Sequence, residues 1–277
     1  MTEKSILITG CSSGIGFDAA QALAARGWRV LATCRQQADC ERLIDEGLES
    51  FRLDYTDTVS IQEAFETAMA LTGGRLDALF NNGAHAMGGA IEDIATDGWR
   101  AIFEANFFGW HELTRLVIPV MRGQGTGRIV QCSSVLGLAG LRMRGPYVST
   151  KHALEGYTDV LRLELRGTGI HPILIEPGPI DTKIRVNAQK HYEKWVEKTE
   201  TPWAGFYKKT LEPRLYATDP KPDRFELQPE AVTKKLIHAL ESPRPRARYY
   251  VTTPTYIVGT LKRLLPTRWL DRVLMKG

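Results

Sequence analysis

Tyr147 and Lys151 stand four residues apart in Tyr147-Val148-Ser149-Thr150-Lys151. On a helix that spacing puts both side chains on one face, one turn apart. A helix is expected, because residues 153–165 keep their apolar positions at helical spacing. An ammonium beside a phenol favours the phenolate, so Tyr147 is expected to titrate below the ~10 of a free tyrosine. A phenol tuned in that way can donate or accept a proton near neutral pH. Taken alone, the pair also fits a surface tyrosine beside a solvated lysine, and only the rest of the chain decides between the two.

The elements that would position the pair alternate strand with helix. Ser5-Ile6-Leu7-Ile8-Thr9 is a short apolar run of the kind a buried parallel strand requires. It runs into Gly10-Cys11-Ser12-Ser13-Gly14-Ile15-Gly16, then a helical pattern over residues 17–26 and a second strand over residues 28–33. Glycines at a strand-to-helix turn let the backbone approach a ligand. The free N–H groups of the helix that follows favour a phosphate. The spacing is GxxxGxG, not the GxGxxG of the commoner dinucleotide fingerprint.

The end of the second strand bears on the cofactor. A carboxylate there would bind the ribose hydroxyls of NAD, and an arginine would suit the 2′-phosphate of NADP. The chain has Thr33-Cys34-Arg35-Gln36, with no carboxylate before Asp39. Arg35, with Ser12 or Ser13, therefore points to NADP(H).

A third strand over residues 48–53 ends in Asp54, placed to meet an adenine edge, with Tyr55 beside it. A helix over residues 59–71 and a fourth strand over residues 76–80 follow, ending in Asn81-Asn82-Gly83-Ala84. Residues 96–122 form a long helical stretch that Pro119 is expected to bend or end. Asn106 lies inside that stretch among aromatic residues and needs a partner if buried. A fifth strand over residues 128–132 ends in Ser133-Ser134, and a sixth over residues 170–175 ends in Glu176-Pro177-Gly178-Pro179-Ile180-Asp181-Thr182. A seventh, residues 248–251, closes the sheet. Such alternation predicts an α/β fold, a single doubly wound Rossmann-type domain with a parallel seven-stranded sheet.

Composition sets limits on the rest. The chain has 277 residues, 43% of them apolar, enough for one sizeable α/β core. A net charge of +4 is too small to argue for nucleic acid. Cys11, Cys34, Cys40 and Cys132 show no CxxC pairing, and they read as buried thiols in a reducing compartment. Met1-Thr2-Glu3-Lys4 leads directly into an apolar run with no signal-peptide pattern, so a cytoplasmic protein is expected.

The motifs, taken in order, resemble those of the short-chain dehydrogenases/reductases. They are Thr9-Gly10-x-x-x-Gly14-Ile15-Gly16; Asp54; Asn81-Asn82; Asn106; Ser134 thirteen residues before Tyr147, with Lys151 four after it; and Pro177-Gly178 followed by Thr182. The resemblance covers roughly residues 4–185 and is closest to the hydroxysteroid and retinol dehydrogenase-like branch. It implies that Tyr147 exchanges a proton with the substrate oxygen. Lys151 lowers the tyrosine pKa and holds the nicotinamide ribose, Ser134 hydrogen-bonds the carbonyl or hydroxyl, and Asn106 holds a water in a proton relay. The thirteen-residue spacing selects Ser134 over Ser133. The segment from Pro177 and Gly178 to Thr182 would pass over the nicotinamide, with Ile180 and Thr182 at its carboxamide. One departure is visible: the family usually has Asn-Asn-Ala-Gly where this chain has Asn81-Asn82-Gly83-Ala84.

The last third carries fewer motifs. Residues 183–209 are amphipathic and aromatic; in relatives this region is a mobile lid over the substrate, and it fits equally a packed helix pair. The proline- and charge-rich residues 213–229 read as a surface loop, which together with the lid spans 183–228. Residues 229–240 return to helical spacing. Beyond the domain at 1–253, residues 254–277 read as one basic amphipathic helix, with Lys262, Arg263, Arg268, Arg272 and Lys276 against Asp271 alone. Such a helix can lie peripherally on an anionic membrane, or pack on the body or on a second subunit.

The reading that follows is an NADP(H)-dependent carbonyl reductase or alcohol dehydrogenase acting on an apolar small molecule, a homodimer or homotetramer. The alternatives are an NAD-dependent secondary-alcohol dehydrogenase, a non-catalytic NADP-binding sensor, and a membrane-surface lipid-binding protein.

Overall fold

The computed structural model describes residues 3–218 and 221–275. Met1, Thr2 and Lys276, used above, lie outside the described residues.

Strand β1 (Ser5–Thr9) is buried at every position and pairs in parallel with β2 (Arg29–Cys34), Leu7 opposite Leu31. A strand covered on both faces has no solvent side, which is why Ile6-Leu7-Ile8 runs apolar without alternation. Five more strands complete the sheet: β3 (Glu49–Arg52), β4 (Ala78–Asn81), β5 (Gly127–Cys132), β6 (Ile170–Glu176) and β7 (Arg248–Tyr250). All seven are parallel, in the order β3-β2-β1-β4-β5-β6-β7. The order reverses between β1 and β4, so a crevice opens at the carboxyl ends of these two strands.

Helices α1 (Gly14–Ala24), α2 (Gln37–Asp45) and α3 (Thr58–Thr72) connect the first four strands. Asp57 caps α3 by accepting from the N–H groups of Val59 and Ser60. Helix α4 (Thr96–Phe103) runs through a π turn at Glu104–Phe108 into α5 (Gly109–Gln124). Pro119, expected to bend or end the helix, does not end α5. The helix continues to Gln124 and stops at Gly125, whose φ of 70° is left-handed. The irregularity falls instead at the π turn, where Asn106 sits. Helix α6 (Gly145–Glu164) places Pro146 in its first turn, where its missing N–H has no intrahelical acceptor to lose.

After β6, helices α7 (Ile184–Trp195), α8 (Ala204–Phe206) and α9 (Glu212–Leu215) occupy the segment expected to be a lid. The lid is packed: Tyr192, Tyr207, Leu211 and Leu215 bury against Met87, Ile94, Met143 and Tyr147, making a second apolar cluster beside the main core. Pro213 lies in the first turn of α9, so the expected loop over residues 213–229 is helical at its start. Helix α10 (Glu230–Glu241) then packs on the main core through Val232, Leu236 and Ala239.

The tail is two helices and not the single one expected, α11 (Thr253–Leu264) and α12 (Thr267–Leu274). Pro266 holds Leu265 in an extended conformation, which ends α11. Among the described residues no helix is long and apolar enough to cross a membrane.

Candidate active site

The turn from β1 to α1 needs its first two glycines for their dihedrals: φ is 71° at Gly10 and 59° at Gly14. Gly16 is needed for space, since a Cβ there would fall 2.4 Å from the Gly10 carbonyl oxygen. Gly10, Ser12, Ser13, Gly14 and Ile15 line a cleft of about 1100 Å³. Gly16, expected among the cofactor contacts, does not reach the cleft wall. It closes the turn from behind. No side chain caps the N-terminus of α1, so its first N–H groups face the cleft with the positive end of the helix dipole.

Arg35 lines the same cleft and has no ion-pair partner among the described residues. Asp54 lines it too, held by the N–H and hydroxyl of Thr56 at 3.0 and 2.9 Å. Tyr55 borders the cleft, but its hydroxyl points inward, donating to Asn81 Oδ1 (2.6 Å) and lying 2.8 Å from the Thr9 hydroxyl. Only its ring is available to a cofactor. Asn82 Nδ2 donates to the Thr9 carbonyl at 3.0 Å. A Cβ on Gly10 would sit 2.6 Å from Gly83 Cα, so the swapped Gly83-Ala84 order still serves backbone contact, between the two loops themselves.

Tyr147 and Lys151 are on α6, one turn apart and both buried. Lys151 Nζ donates to the Cys132 carbonyl at 2.8 Å and lies 5.6 Å from the centre of the Tyr147 ring. The Ser134 hydroxyl faces Tyr147 and favours its phenolate. Its oxygen also accepts the Leu136 N–H at 3.1 Å, which fixes its rotamer. Ser133 is buried beside it with a hydroxyl that has no protein partner among the described residues. The expected lowering of the Tyr147 pKa is not found. Burial pushes the phenol well above its ordinary value, outweighing Ser134. Burial also pulls Lys151 down to about 8, against the opposing pull of Glu155. Both shifts have one cause, burial that disfavours each charged form.

Asn106 does not line the cleft. Its Oδ1 accepts the His85 N–H at 3.0 Å, and its Nδ2 donates to the His85 carbonyl (2.8 Å) and to Thr150 Oγ1 (3.5 Å). Thr150 in turn donates to the Tyr147 carbonyl at 2.8 Å. The buried amide is thereby satisfied, and it ties the loop after β4 to the first turn of α6.

A protein-family model for short chain dehydrogenases matches residues 4–193. The chain belongs to the short-chain dehydrogenase family. An oxidoreductase of Escherichia coli strain K12, YbbO, is 42% identical over 98% of this chain and 94% of its own length. An NADPH-dependent 3-dehydrocapnine reductase of Ornithobacterium rhinotracheale is 30% identical over 98% of this chain and 95% of its own. A crystal structure of a short-chain dehydrogenase from Streptomyces avermitilis superimposes with a TM-score of 0.78 at 27% identity, covering 99% of this chain and 95% of that one.

In this short-chain dehydrogenase, Pro177, Gly178, Ile180 and Thr182 form the far wall of the cleft. Thr182 reaches across to the glycine turn, where a Cβ on Gly14 would meet its methyl at 2.9 Å. Three side chains of the site escaped the sequence reading. Trp110 lies under Lys151, ring centre 4.4 Å from Nζ, and donates its indole N–H to the Gly83 carbonyl at 2.9 Å. It offers the buried ammonium a π face and ties it to the Asn82-Gly83 loop. Thr150 is the second. The third is Arg248 on β7, which bonds Glu155, Glu176 (2.6 Å) and Asp159 (2.7 Å). Glu155 is one turn beyond Lys151 on α6. That helical spacing was the one available signal, and nothing in it names a partner ninety residues away.

Proposed function

We propose that this short-chain dehydrogenase is an NADP(H)-dependent oxidoreductase that interconverts a carbonyl and an alcohol on a substrate with a substantial apolar part. The observation that carries the reading is the convergence of Ser134, Tyr147 and Lys151 in a cleft that also exposes Arg35 at the end of β2. The glycine turn, the free α1 N-terminus and Arg35 suit a dinucleotide bearing a 2′-phosphate. The name of the 3-dehydrocapnine reductase, NADPH-dependent, supports the same cofactor. Bound there, the nicotinamide supplies the hydride.

The chain's own residues do the rest. Ser134 orients the substrate oxygen. Tyr147, a neutral phenol at physiological pH, gives its proton to that oxygen in reduction and takes it back in oxidation. Lys151 keeps two N–H donors beyond its bond to Cys132 for a ribose hydroxyl, and its charge favours the phenolate during turnover. Asn106 spends its amide on His85 and Thr150, so we give it a positioning role in place of the relay water. Ile180 and Thr182 cover the nicotinamide. The apolar lining near Tyr147, including Leu136, Leu141, Trp195 and Leu215, suits an apolar substrate.

Exposed Phe108, Val160 and Leu163 on the π turn and α6 favour a homodimer or homotetramer through these helices. The four buried, unpaired cysteines favour the cytoplasm. In α12, Trp269 and Val273 are exposed beside Arg268 and Arg272, which favours contact with an anionic membrane.

NADPH oxidation against a panel of aldehydes and ketones tests the central reading. Tyr147→Phe should abolish turnover and leave NADPH binding within about twofold, since it removes one hydroxyl and keeps the ring in place. Retained turnover, or tighter binding of NADH than of NADPH, would each reject a stated part of it. Light scattering and co-sedimentation with anionic vesicles test the assembly and the tail.

A further inference from the structure

Arg144 is the residue immediately before α6, one turn ahead of Tyr147, and it lines the cleft. Its guanidinium lies against Gly88, where a Cβ would come within 2.5 Å of Nη1. Among the described residues no carboxylate or carbonyl accepts from that guanidinium. A half-buried cation on the cleft wall with no protein acceptor leaves its N–H donors to whatever enters the cleft.

The backbone is distorted to put it there. Met143, the preceding residue, has φ of 62°, in the left-handed region that an unbranched side chain occupies at a cost on the order of 1 kcal/mol. The Met143 carbonyl accepts the Gly89 N–H at 3.1 Å, and Gly89 bridges to Arg144, so the loop after β4 holds the conformation.

The surroundings add positive charge. Arg185 on α7 and Arg214 on α9 share the single carboxylate of Asp223, at 3.1 and 2.5 Å. Asp223 itself receives no bond from Arg144, and Glu226 accepts the Asp223 N–H at 3.3 Å. Arg144, Arg185 and Arg214 thus face the two carboxylates of Asp223 and Glu226 at the cleft wall, an excess of one positive charge. Burial and the fields of Arg214 and Arg185 disfavour the charged form of Arg144, and arginine cannot shed its proton to relieve this. Beside these cations lies the apolar cluster under the lid, with Met87, Met143 and Leu215.

We propose that Arg144 is a substrate-recognition residue that binds an acidic group, a carboxylate, sulfonate or phosphate, on an otherwise apolar carbonyl substrate. The planar fork of the guanidinium matches such groups in bidentate geometry, and the uncancelled charge of the cluster complements an anion. Arg144 and Tyr147 share the first turn of α6, so one molecule reaches both: the acid on Arg144, the reacting oxygen at Tyr147 and Ser134, the apolar part under the lid. The assignment rests on the oxidoreductase reading only for the identity of the reacting group.

The test compares medium-chain oxo acids with their methyl esters as substrates for the full chain with NADPH. The wild type should prefer the acid. Arg144→Met should reduce that preference by roughly ten- to a hundredfold, the worth of a charge-assisted hydrogen bond. The loss should appear in KM for the acid, and should exceed any change in kcat for the ester or in the Kd of NADPH. Arg144→Lys, which keeps the charge and loses the fork, should fall between. A parallel titration of the NADPH complex with a saturated medium-chain fatty acid needs no turnover: binding in the wild type should weaken by the same factor in Arg144→Met. Equal use of acid and ester by the wild type, or acid preference retained in both variants, would overturn the assignment. Absence of any NADPH-dependent turnover with fatty-acid binding intact would reject the oxidoreductase reading and leave the anion site standing.

Discussion

The imidazole rings of His85 and His191 lie face to face, 3.7 Å between centroids and 10° from parallel. His85 follows the Asn81-Asn82-Gly83-Ala84 loop, and His191 is on lid helix α7, so this stack joins the lid to the body across the cleft. The Nε2 atoms of both rings are buried and have no protein partner among the described residues. Burial lowers both, His85 to about 3 and His191 to about 4, with Arg35, Lys190 and Lys194 acting in the same direction.

The stack predicts that acid opens the lid. Separated rings titrate near ~6.5, above their stacked values, so the open form takes up protons first as pH falls. Closure is favoured above ~6.5 and weakens progressively down to about pH 4. Amide hydrogen exchange in α7, corrected for its intrinsic rate, should quicken between pH 7 and pH 5. His191→Phe preserves a stacked ring that cannot titrate and should flatten the dependence. Equal α7 protection at both pH values would exclude the latch.

Lys151, held at about 8, should set the alkaline limit of cofactor binding. Its charge is present below that value and lost above it. The Kd of NADPH should therefore rise above about pH 8, by up to roughly tenfold per unit. Lys151→Arg carries a cation that does not titrate in this range, so its weaker binding should show no break there.

Arg248 holds two buried carboxylates, Glu155 and Glu176. Arg248→Met strands both, and should cost roughly 3–5 kcal/mol, read by calorimetry as a lower Tm. Burial and Glu155 raise the Glu176 pKa, so Glu176 favours the fold at acid pH and opposes it increasingly as pH rises from its unfolded value towards its folded one. Combining Arg248→Met with Glu176→Gln should recover part of the loss, most visibly at alkaline pH. Additive losses in the double variant would show that the two groups are not coupled.

Gly16→Ala should cost about 1–3 kcal/mol, because its Cβ collides with the Gly10 carbonyl as well as with Asn82 Nδ2, and the backbone cannot turn aside as a side chain can. The turn it closes should also lose affinity for NADPH. Gly156 on α6 has open space around it, and Gly156→Ala should raise stability by roughly 0.5–1 kcal/mol. Comparing the two by chemical denaturation separates a glycine required for packing from one that is not.

The seven strands, their alternation with helices and several residues that line the cleft could be read before any coordinates, because each leaves a local mark. An apolar run without alternation marks a strand covered on both faces, and glycines at its end mark a sharp turn. Gly10, Gly14, Arg35, Ser134, Tyr147 and Lys151 are legible in that way, by type and spacing. Local reasoning also had identifiable failures. Pro119 was given more weight than α5 allows, and the single tail helix overlooked what Pro266 does to Leu265.

What the sequence determined by itself is therefore the order of elements and the chemical groups available to the site. Only the tertiary structure decided how those groups behave. Spacing alone has Lys151 lowering the Tyr147 pKa, whereas the folded chain raises it, because desolvation depends on everything packed around the phenol and not on its helical neighbour alone. Trp110 beneath Lys151, Arg248 across from Glu155, His191 on His85 and the unpaired Arg144 are of the same kind. Each is a through-space relation between distant positions, and the burial that gives it its strength exists only once the sheet and lid have closed around it.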